Sequence, residues 1–265
     1  MVYNPDLFRE KQRFTAILVA DLSPEQLNVV QEDFGLGATL CSPHPAEELF
    51  IHDKRAWSTL SHAEMKRAYP DTQPLLVIDA KTPEDGGIWY LDHFADEDEV
   101  EDGSAESTNT LQKIRMGIKD VVILYMNYDI GNSDIREDMD QVDIPLPTPE
   151  QFDQEELHHS GLDPIGDRYI SPTSVTATPD EIEESTDEEA LRVHAPPRPN
   201  VVYRLKPDVA RQHGLKSQWS LASQAKDIEL PDGTVLKFSE GSKVLNVAYD
   251  PETAVPKYQK PEGSL

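Results

Sequence analysis

The run Leu75-Leu76-Val77-Ile78 is the sequence feature that most constrains the fold of this 265-residue chain. Pro74 precedes the run and Asp79 follows it. Four consecutive branched apolar residues bounded in this way are typical of a strand buried on both faces. We therefore expect Pro74 to Asp79 to form a central or parallel strand of a sheet.

Further strands are predicted on both sides of this segment. Phe14 to Ala20 is a short apolar run of strand-forming residues, and Ile88 to His93 follows the turn residues Glu84 to Gly87. Because the turn is short, the strand at 88–93 is expected to pair with Pro74–Asp79. Val121 to Met126 is predicted to be another core strand.

Helices are predicted between these strands. Ser23 before Pro24 has the pattern of a helix start, with a helix expected to about Gln31. Ser61 with Glu64 three residues later indicates a capping box at the start of a helix over 61–68. The interleaving of strands and helices predicts a single mixed-sheet domain of α/β or α+β class over residues 13–140.

Residues 141–200 lack the periodicity of the first domain. The segment contains Pro-Leu-Pro-Thr-Pro at 145–149 and the acidic tract 180–189, and hydrophobic residues make up only 37% of the whole chain. Such a composition is typical of an extended, self-repelling chain. We expect a disordered, acidic, proline-rich linker over 141–200.

Structure is predicted again beyond residue 200. The sequence alternates like a strand from Val201, and residues 227–238 have the pattern of a hairpin with its turn at Pro231-Asp232-Gly233. Residues 201–250 are therefore expected to form a small C-terminal β-hairpin element. Residues 251–265 are expected to form a disordered tail.

The charge distribution limits the partners. The chain carries 24 Lys and Arg against 50 Asp and Glu, a net charge of −26, and only residues 200–265 are close to neutral. An acidic surface repels phosphate backbones and anionic lipid surfaces, so we expect neither nucleic-acid nor membrane partners. The balanced segment at 201–250 is the part expected to contact another protein or the chain's own acidic domain.

Cysteine content and the first residues indicate the compartment. Cys41 is the single cysteine, which excludes an intrachain disulfide and a cysteine-based zinc site. No apolar leader or membrane-length apolar run is found in the sequence. A reducing, cytoplasmic location is predicted, with the nucleus as the alternative.

Several short motifs are better explained by structure than by chemistry. Gly35 and Gly37 lack the lysine of a nucleotide-binding loop, so they are interpreted as helix-ending glycines. Cys41 near His44 is interpreted as a partly buried thiol in a loop. His158 and His159 are adjacent, so on a helix they diverge by about 100° and do not share one metal ion readily. No cofactor and no metal site is predicted.

One constellation merits testing, because polar residues follow three predicted strands. Asp79 ends one strand, Asp92 and His93 end the next, and Asn127 and Asp129 follow a third. If the strand ends share one edge of the sheet, carboxylates and an imidazole converge, as acid–base or metal chemistry requires. The alternative is that these residues only cap turns.

The segment Leu75–Asp79, the strand Ile88–Leu91 and the stretch Val121–Asp138 together resemble a family of small uncharacterised α/β domains found in bacteria and fungi. In that family, an apolar strand ending in Asp precedes a strand pair and an Asn-rich turn that leads into an acidic helix. The resemblance covers at most residues 13–140. It implies a fold unit and leaves the activity open.

Two functions follow as hypotheses. The first is a non-catalytic protein-interaction or regulatory protein, in which residues 201–250 supply the docking element. The second is a small metal-assisted hydrolase or isomerase that uses the strand-end carboxylates. The response of Asp79, Asp92 and Asp129 to substitution by asparagine distinguishes them, because removal of a functional carboxylate preserves or raises stability.

Overall fold

The structure is a computed structural model that describes residues 2–3, 11–40, 45–167, 172–192, 195–230, 233–254 and 257–265. The chain forms two compact units. The sheet unit comprises Lys11–Thr39, Pro45–Asp167 and Pro256–Leu265, and the hairpin unit comprises Met1–Glu10, Leu40–His44 and Arg168–Val255. Strands and helices are numbered in chain order.

The sheet unit is built on a five-stranded mixed sheet. The strands are β2 (Gln12–Leu18), β3 (Glu47–Asp53), β4 (Leu75–Ile78), β5 (Gly87–Phe94) and β6 (Leu111–Gly117). Their order is β3-β2-β4-β5-β6. β2 is parallel to β3 and β4, whereas β5 is antiparallel to β4 and β6. The apolar run of β4 is thus central, and all four of its residues are fully buried.

Short helices connect these strands. They are α1 (Pro24–Ala38), α2 (His62–Arg67), α3 (Thr82–Asp85), α4 (Glu97–Glu101), α5 (Val121–Asp129) and α6 (Ile135–Gln141), with 3-10 turns at Arg55–Trp57 and Ile118–Asp120. Ser23 and Ser61 both close capping boxes, at the starts of α1 and α2. The helix starts are therefore set by local sequence.

The two faces of the sheet are covered unequally. On one face, the ring of Phe14 packs edge-on against Phe34 of α1 and Tyr125 of α5, with ring centroids 5.4 and 4.9 Å apart. On the other face, an apolar cluster that includes Ile17 and Val77 is covered by Met65 of the short helix α2. Because α2 has only six residues, part of this second face stays accessible.

The glycines of α1 lie inside the helix rather than after its end. A Cβ atom at Gly37 would clash with the backbone carbonyl of Lys119. Glycine therefore lets α1 approach the 3-10 turn at Ile118–Asp120 closely. The interpretation of Gly35 and Gly37 as helix-ending residues is wrong, since α1 continues to Ala38.

Both edges of the sheet are covered by chain from the same unit. Beside β6, the backbone amide of His158 donates to the carbonyl of Arg115 at 3.0 Å, and the side chain of Gln154 bonds both backbone groups of Arg115. Beside β3, Tyr258 and Ser264 accept backbone hydrogen bonds from the strand. Covering both edges protects the sheet against pairing with other chains.

The hairpin unit contains a four-stranded antiparallel sheet and two strand pairs. Its strands are β1 (Val2–Tyr3), β7 (Thr173–Ala177), β8 (Ile182–Ser185), β9 (Val202–Leu205), β10 (Ala222–Gln224), β11 (Ile228–Glu229), β12 (Val235–Leu236) and β13 (Lys243–Val247). The four-stranded sheet has the order β1-β7-β13-β10. Helices α7 (Glu188–Leu191) and α8 (Pro207–Gln212) complete the unit, and its core includes Val175, Leu205 and Leu245.

The predicted fold class is confirmed. The structure has a mixed sheet with short helices and small antiparallel sheets toward the end of the chain, and β4 and β5 form the predicted antiparallel pair. One predicted element is wrong, since Val121–Met126 lies in helix α5 and not in a strand. A short apolar run fits a buried helix segment as well as a strand, and here the first four residues of α5 are all buried.

The predicted segment boundaries also differ from the structure. The chain predicted as a linker over 141–200 contains β7 and β8, and Val175 of β7 is fully buried. β7 is stabilised by pairing with β13, about 70 residues farther along the chain, and local composition does not report such distant pairing. Residues 201–250 join β7 in the hairpin unit, while residues 257–265 of the predicted tail pack in the sheet unit.

The predicted hairpin at 227–238 corresponds to the β11–β12 pair, although Pro231 and Asp232 of its turn lie outside the described residues. Cys41 and His44 lie outside them as well.

Candidate functional site

Two basic side chains of β6, Lys113 and Arg115, lie on the second face of the sheet. Ile17 of β2, Val77 of β4, Trp89 of β5 and Arg115 of β6 are cross-strand neighbours in one row across the sheet. Lys113 lies in the next row, opposite Leu91. Because residues two apart in a strand share a face, Lys113 and Arg115 both point to the side that α2 covers only in part.

Arg115 is fully engaged by carboxylates. Its guanidinium donates to Asp79 at 2.9 Å and to both oxygens of Asp85 at 2.9 and 3.1 Å. The guanidinium lies against Gly87, where a Cβ atom would stand only 3.0 Å from Nε. A buried arginine with two carboxylate partners is a structural ion network that joins β6 to the ends of β4 and α3.

Lys113 has a different environment. Its ammonium lies between two aromatic rings, 4.9 Å from the centroid of Trp89 and 4.5 Å from that of Phe152. Its hydrogen-bonding neighbours are Nδ1 of His62 and the carbonyl of Phe152, each 3.4 Å away. Within the part of the chain that the structure describes, no carboxylate lies within 4.0 Å of this ammonium, although the residue is only 9% exposed.

Burial shifts the protonation equilibria at this site. It lowers the pKa of Lys113 from 10.5 to about 8, and the charge of Asp153 offsets only part of the effect. Burial also lowers the pKa of His62 from 6.5 to about 4, with a further contribution from the charge of Lys113. At neutral pH, the site therefore contains an ammonium and an uncharged imidazole.

An open cleft lies over Lys113, with a volume of about 780 Å³. We call it the Lys113 cleft. Its lining residues are Leu60, Ser61, His62, Ala63, Glu64, Arg67, Asn109, Leu111, Lys113, Glu150, Gln151, Phe152 and Asp153. A neighbouring cleft of about 630 Å³ shares His62 and Asp153 with it and extends to Asp79 and Arg115.

Of the residues predicted to form a site, Asp79 lies beside this neighbouring cleft. It accepts hydrogen bonds from the backbone amides of Lys81 and Thr82 at 3.0 and 3.1 Å, in addition to its ion pair with Arg115. Asp79 thus both caps the turn after β4 and neutralises a buried arginine.

Asp92 and His93 lie near the opposite end of β5. Asp92 accepts from Gln73 at 2.8 Å and contacts Nδ1 of His93 at 2.8 Å. This hydrogen bond to Asp92 raises the pKa of His93, and Glu99, 3.4 Å from the other ring nitrogen, acts in the same direction.

Asp129 lines a pocket of about 320 Å³ together with Asp92. Asn127 accepts a hydrogen bond from the side chain of Asn132 at 3.3 Å. Asp79 is not part of this group. The end of β5 nearest to Asp79 is Gly87, and Asp92 lies five residues from it, about 17 Å along the strand. The structure therefore brings Asp92, His93 and Asp129 to one region and holds Asp79 in another.

Sequence reasoning did not identify Lys113, His62, Trp89 or Phe152 as site residues. In the sequence, Lys113 and Arg115 alternate with apolar residues, and only the structure shows that all seven residues of this strand are buried. Lysine and arginine are almost never fully buried without a partner. Basic residues on one face of such a strand indicate a site or an ion network.

Within the described ranges, no group of three or more His, Cys, Asp or Glu side chains converges as metal ligands would. The adjacent histidines have separate partners, since His158 lies 3.4 Å from Asp138 and His159 lies 3.0 Å from Asp120.

Comparison with protein-family models, with curated proteins and with solved structures found no match for this chain. Among the residues with described positions, none of the helices has the length and hydropathy of a membrane-spanning segment.

Proposed function

We propose that the chain is a non-catalytic binding protein with a regulatory role, whose sheet unit binds a small ligand in the Lys113 cleft. The ligand is expected to carry one carboxylate on an aromatic or aliphatic body. Its carboxylate would bind the Lys113 ammonium, and its body would lie against Leu111 and Phe152 of the cleft wall.

The observation that carries this proposal is the buried ammonium without a carboxylate within ion-pair distance in the described chain. Burial of a charge is costly unless the charge is paired. If Lys113 bound nothing, an apolar residue at this position would give a more stable protein. Perturbed ionisable groups in clefts are commonly functional for this reason. An anionic ligand would supply a partner for Lys113.

A carboxylate suits the cleft better than a phosphate. Phosphate recognition usually draws on arginine forks or several cations. Here Arg115 is already occupied by Asp79 and Asp85. Arg67 of the cleft wall donates to Asn109 at 3.1 Å and lies over the ring of Phe94. The walls also include the acidic residues Glu64 and Glu150. These acidic walls disfavour a multiply charged anion, whereas a singly charged ligand with an apolar body fits the side chains of Leu111 and Phe152.

Isothermal titration calorimetry at pH 7 with benzoate tests the proposal, with the uncharged isostere benzamide as ligand control. We expect benzoate to bind the wild-type chain at least about tenfold more tightly than benzamide, which corresponds to about 1.4 kcal/mol. Lys113→Met should remove this difference. Lys81→Met is the matched control, since it removes an exposed lysine of the same unit that does not line the Lys113 cleft.

Equal binding of benzoate and benzamide would contradict the proposal, as would benzoate binding that Lys113→Met leaves intact. Tighter binding of inorganic phosphate than of benzoate would contradict the ligand class.

A protein partner for residues 201–250 is a second proposal, and it concerns the hairpin unit. β10 is an edge strand of its sheet, and Leu221 and Val235 are 56% and 48% exposed. Exposed apolar residues beside a two-stranded pair are typical of contact surfaces. Loss of a defined protein partner in Leu221→Ser with Val235→Ser, but not in Lys226→Ser, would support it, and retention of every partner would contradict it.

The cytoplasmic location remains part of the proposal. It is supported by the single cysteine and by the acidic composition.

A further inference from the structure

The outer edge of β3 is closed by a second segment of the sheet unit, residues 257–265, which we call the edge segment. The backbone amide of Leu49 donates to the hydroxyl of Tyr258 at 2.7 Å, and that of Ile51 donates to the hydroxyl of Ser264 at 2.9 Å. The carbonyl of Ile51 accepts from the amide of Leu265 at 3.2 Å. Two of these three bonds therefore use side-chain hydroxyls where a neighbouring strand would use its backbone.

A slot between Phe34 and Gly35 of α1 receives the ring of Tyr258. The ring packs edge-on against Phe34 with centroids 6.0 Å apart, and it lies directly on Gly35 of α1. A Cβ atom at Gly35 would overlap three side-chain atoms of this tyrosine, so the slot depends on glycine at this position. Gln31, which is only 3% exposed, donates to Ser264 at 3.0 Å and fixes the other end of the edge segment.

Most of the edge segment faces solvent. Its exposed residues are Lys257, Gln259, Lys260, Glu262, Gly263 and Leu265. The acidic residues of β3 are paired within the same unit, since Glu48 contacts Lys11 and Arg13, and Asp53 contacts Arg55. The groove between α1 and β3 thus combines a slot for an aromatic ring with a strand edge that offers backbone donors and an acceptor.

We infer that the groove between α1 and β3 is a binding site for an extended, tyrosine-containing peptide of another protein, and that the edge segment occupies this site in cis. The peptide would carry a tyrosine for the slot and a serine six residues later, as Tyr258 and Ser264 do. Addition of an extended peptide to a sheet edge is a recurring recognition mode, in which the strand edge gives affinity and pockets give sequence preference.

Fluorescence anisotropy on the full chain tests this inference, with a labelled peptide of the sequence of residues 257–265 as the probe. The wild-type chain should bind the peptide weakly, because the edge segment competes at a high effective concentration. Tyr258→Ala weakens this competitor and should tighten peptide binding at least about tenfold. Ser264→Ala should also tighten peptide binding, by a smaller factor. Lys260→Ala, the control, should leave the affinity for the peptide unchanged.

Two further variants locate the site. A chain with both Tyr258→Ala and Gly35→Val should lose peptide binding, because valine fills the slot. A peptide with alanine in place of its tyrosine should not bind the Tyr258→Ala chain.

The inference is overturned if folded Tyr258→Ala and Ser264→Ala chains bind the peptide no more tightly than the wild type does, or if the peptide without tyrosine binds equally well. It is also overturned if the wild-type chain sediments as a dimer and Tyr258→Ala as a monomer, because the groove would then join two copies of this chain.

Discussion

Replacing Lys113 by methionine removes the charge on which the proposed ligand site depends, and it is expected to stabilise the sheet unit. Methionine has nearly the length of the lysine stem and fills irregular apolar gaps well. The residue is 9% exposed and lies between Trp89 and Phe152, so methionine keeps most of the apolar contacts. What the variant loses is the buried charge with its attraction to the two rings.

The size of the effect follows from the pKa of Lys113. Its lowering from 10.5 to about 8 on folding corresponds to about 3 kcal/mol of destabilisation by the charged form at pH 7. Two cation–π contacts, each of about 0.5 to 1 kcal/mol, are lost in the variant. The expected net gain at pH 7 is therefore about 1 to 2 kcal/mol.

The lowered pKa of Lys113 also fixes the direction in which wild-type stability changes with pH. Between about pH 8 and pH 10.5 the unfolded chain binds more protons at this residue than the folded chain does, so wild-type stability rises with pH there. The advantage of Lys113→Met should shrink over this range. Urea unfolding followed by tryptophan fluorescence at several pH values measures it, with Lys81→Met as the control near zero. A Lys113→Met chain that is less stable at pH 7, or whose advantage is independent of pH, would refute the reasoning.

Asp79→Asn should destabilise the sheet unit by about 1 to 3 kcal/mol in urea unfolding, because it leaves Arg115 with one carboxylate fewer; unchanged or raised stability, with loss of a cellular phenotype, would instead favour the hydrolase or isomerase hypothesis. His62→Gln should gain stability relative to the wild type by about 1 to 2 kcal/mol between pH 7 and pH 5, because the unfolded chain protonates His62 there and the folded chain, with a pKa of about 4, does not; a constant difference over this range would contradict the burial of His62. Tyr258→Phe should cost about 1 kcal/mol, because it leaves the amide of Leu49 without its acceptor, and amide exchange of Leu49 should accelerate; unchanged protection of that amide would contradict the contact.

Local sequence was sufficient to predict part of the fold. The continuous apolar run of β4 predicts a central strand, and the turn residues after it predict the antiparallel partner β5. Ser23 and Ser61 predict helix starts because a capping box is made by residues only three positions apart. These features depend on neighbours in sequence, so sequence reports them directly.

Pairing between segments that lie far apart along the chain could not be predicted from local sequence. β7 belongs to a segment of linker-like composition and becomes a core strand only because β13 and β1 flank it. The edge segment likewise has the composition of a tail, and its structure depends on Gly35 and on the edge of β3. Polar, proline-rich sequence is ordered here by partners that lie far away along the chain.

The candidate site was only partly predictable for a related reason. Asp79 was identified from its position after β4, but its role in the ion network depends on Arg115, which local sequence does not place beside it. Lys113 was not predicted because a strand with one basic face is indistinguishable in sequence from a half-exposed strand. Only the burial of all seven residues of β6 shows the difference.

The pKa of Lys113 with and without benzoate is the sharpest test of an anion site at this buried ammonium. Nuclear magnetic resonance of the lysine side-chain carbons, with the Lys113 signal assigned by its loss in Lys113→Met, follows this titration residue by residue. We expect a pKa of about 8 for Lys113 in the free chain and a clear rise at saturating benzoate, because the carboxylate stabilises the ammonium. A Lys113 pKa near its ordinary value in the free chain, or one that benzoate leaves unchanged, would contradict it.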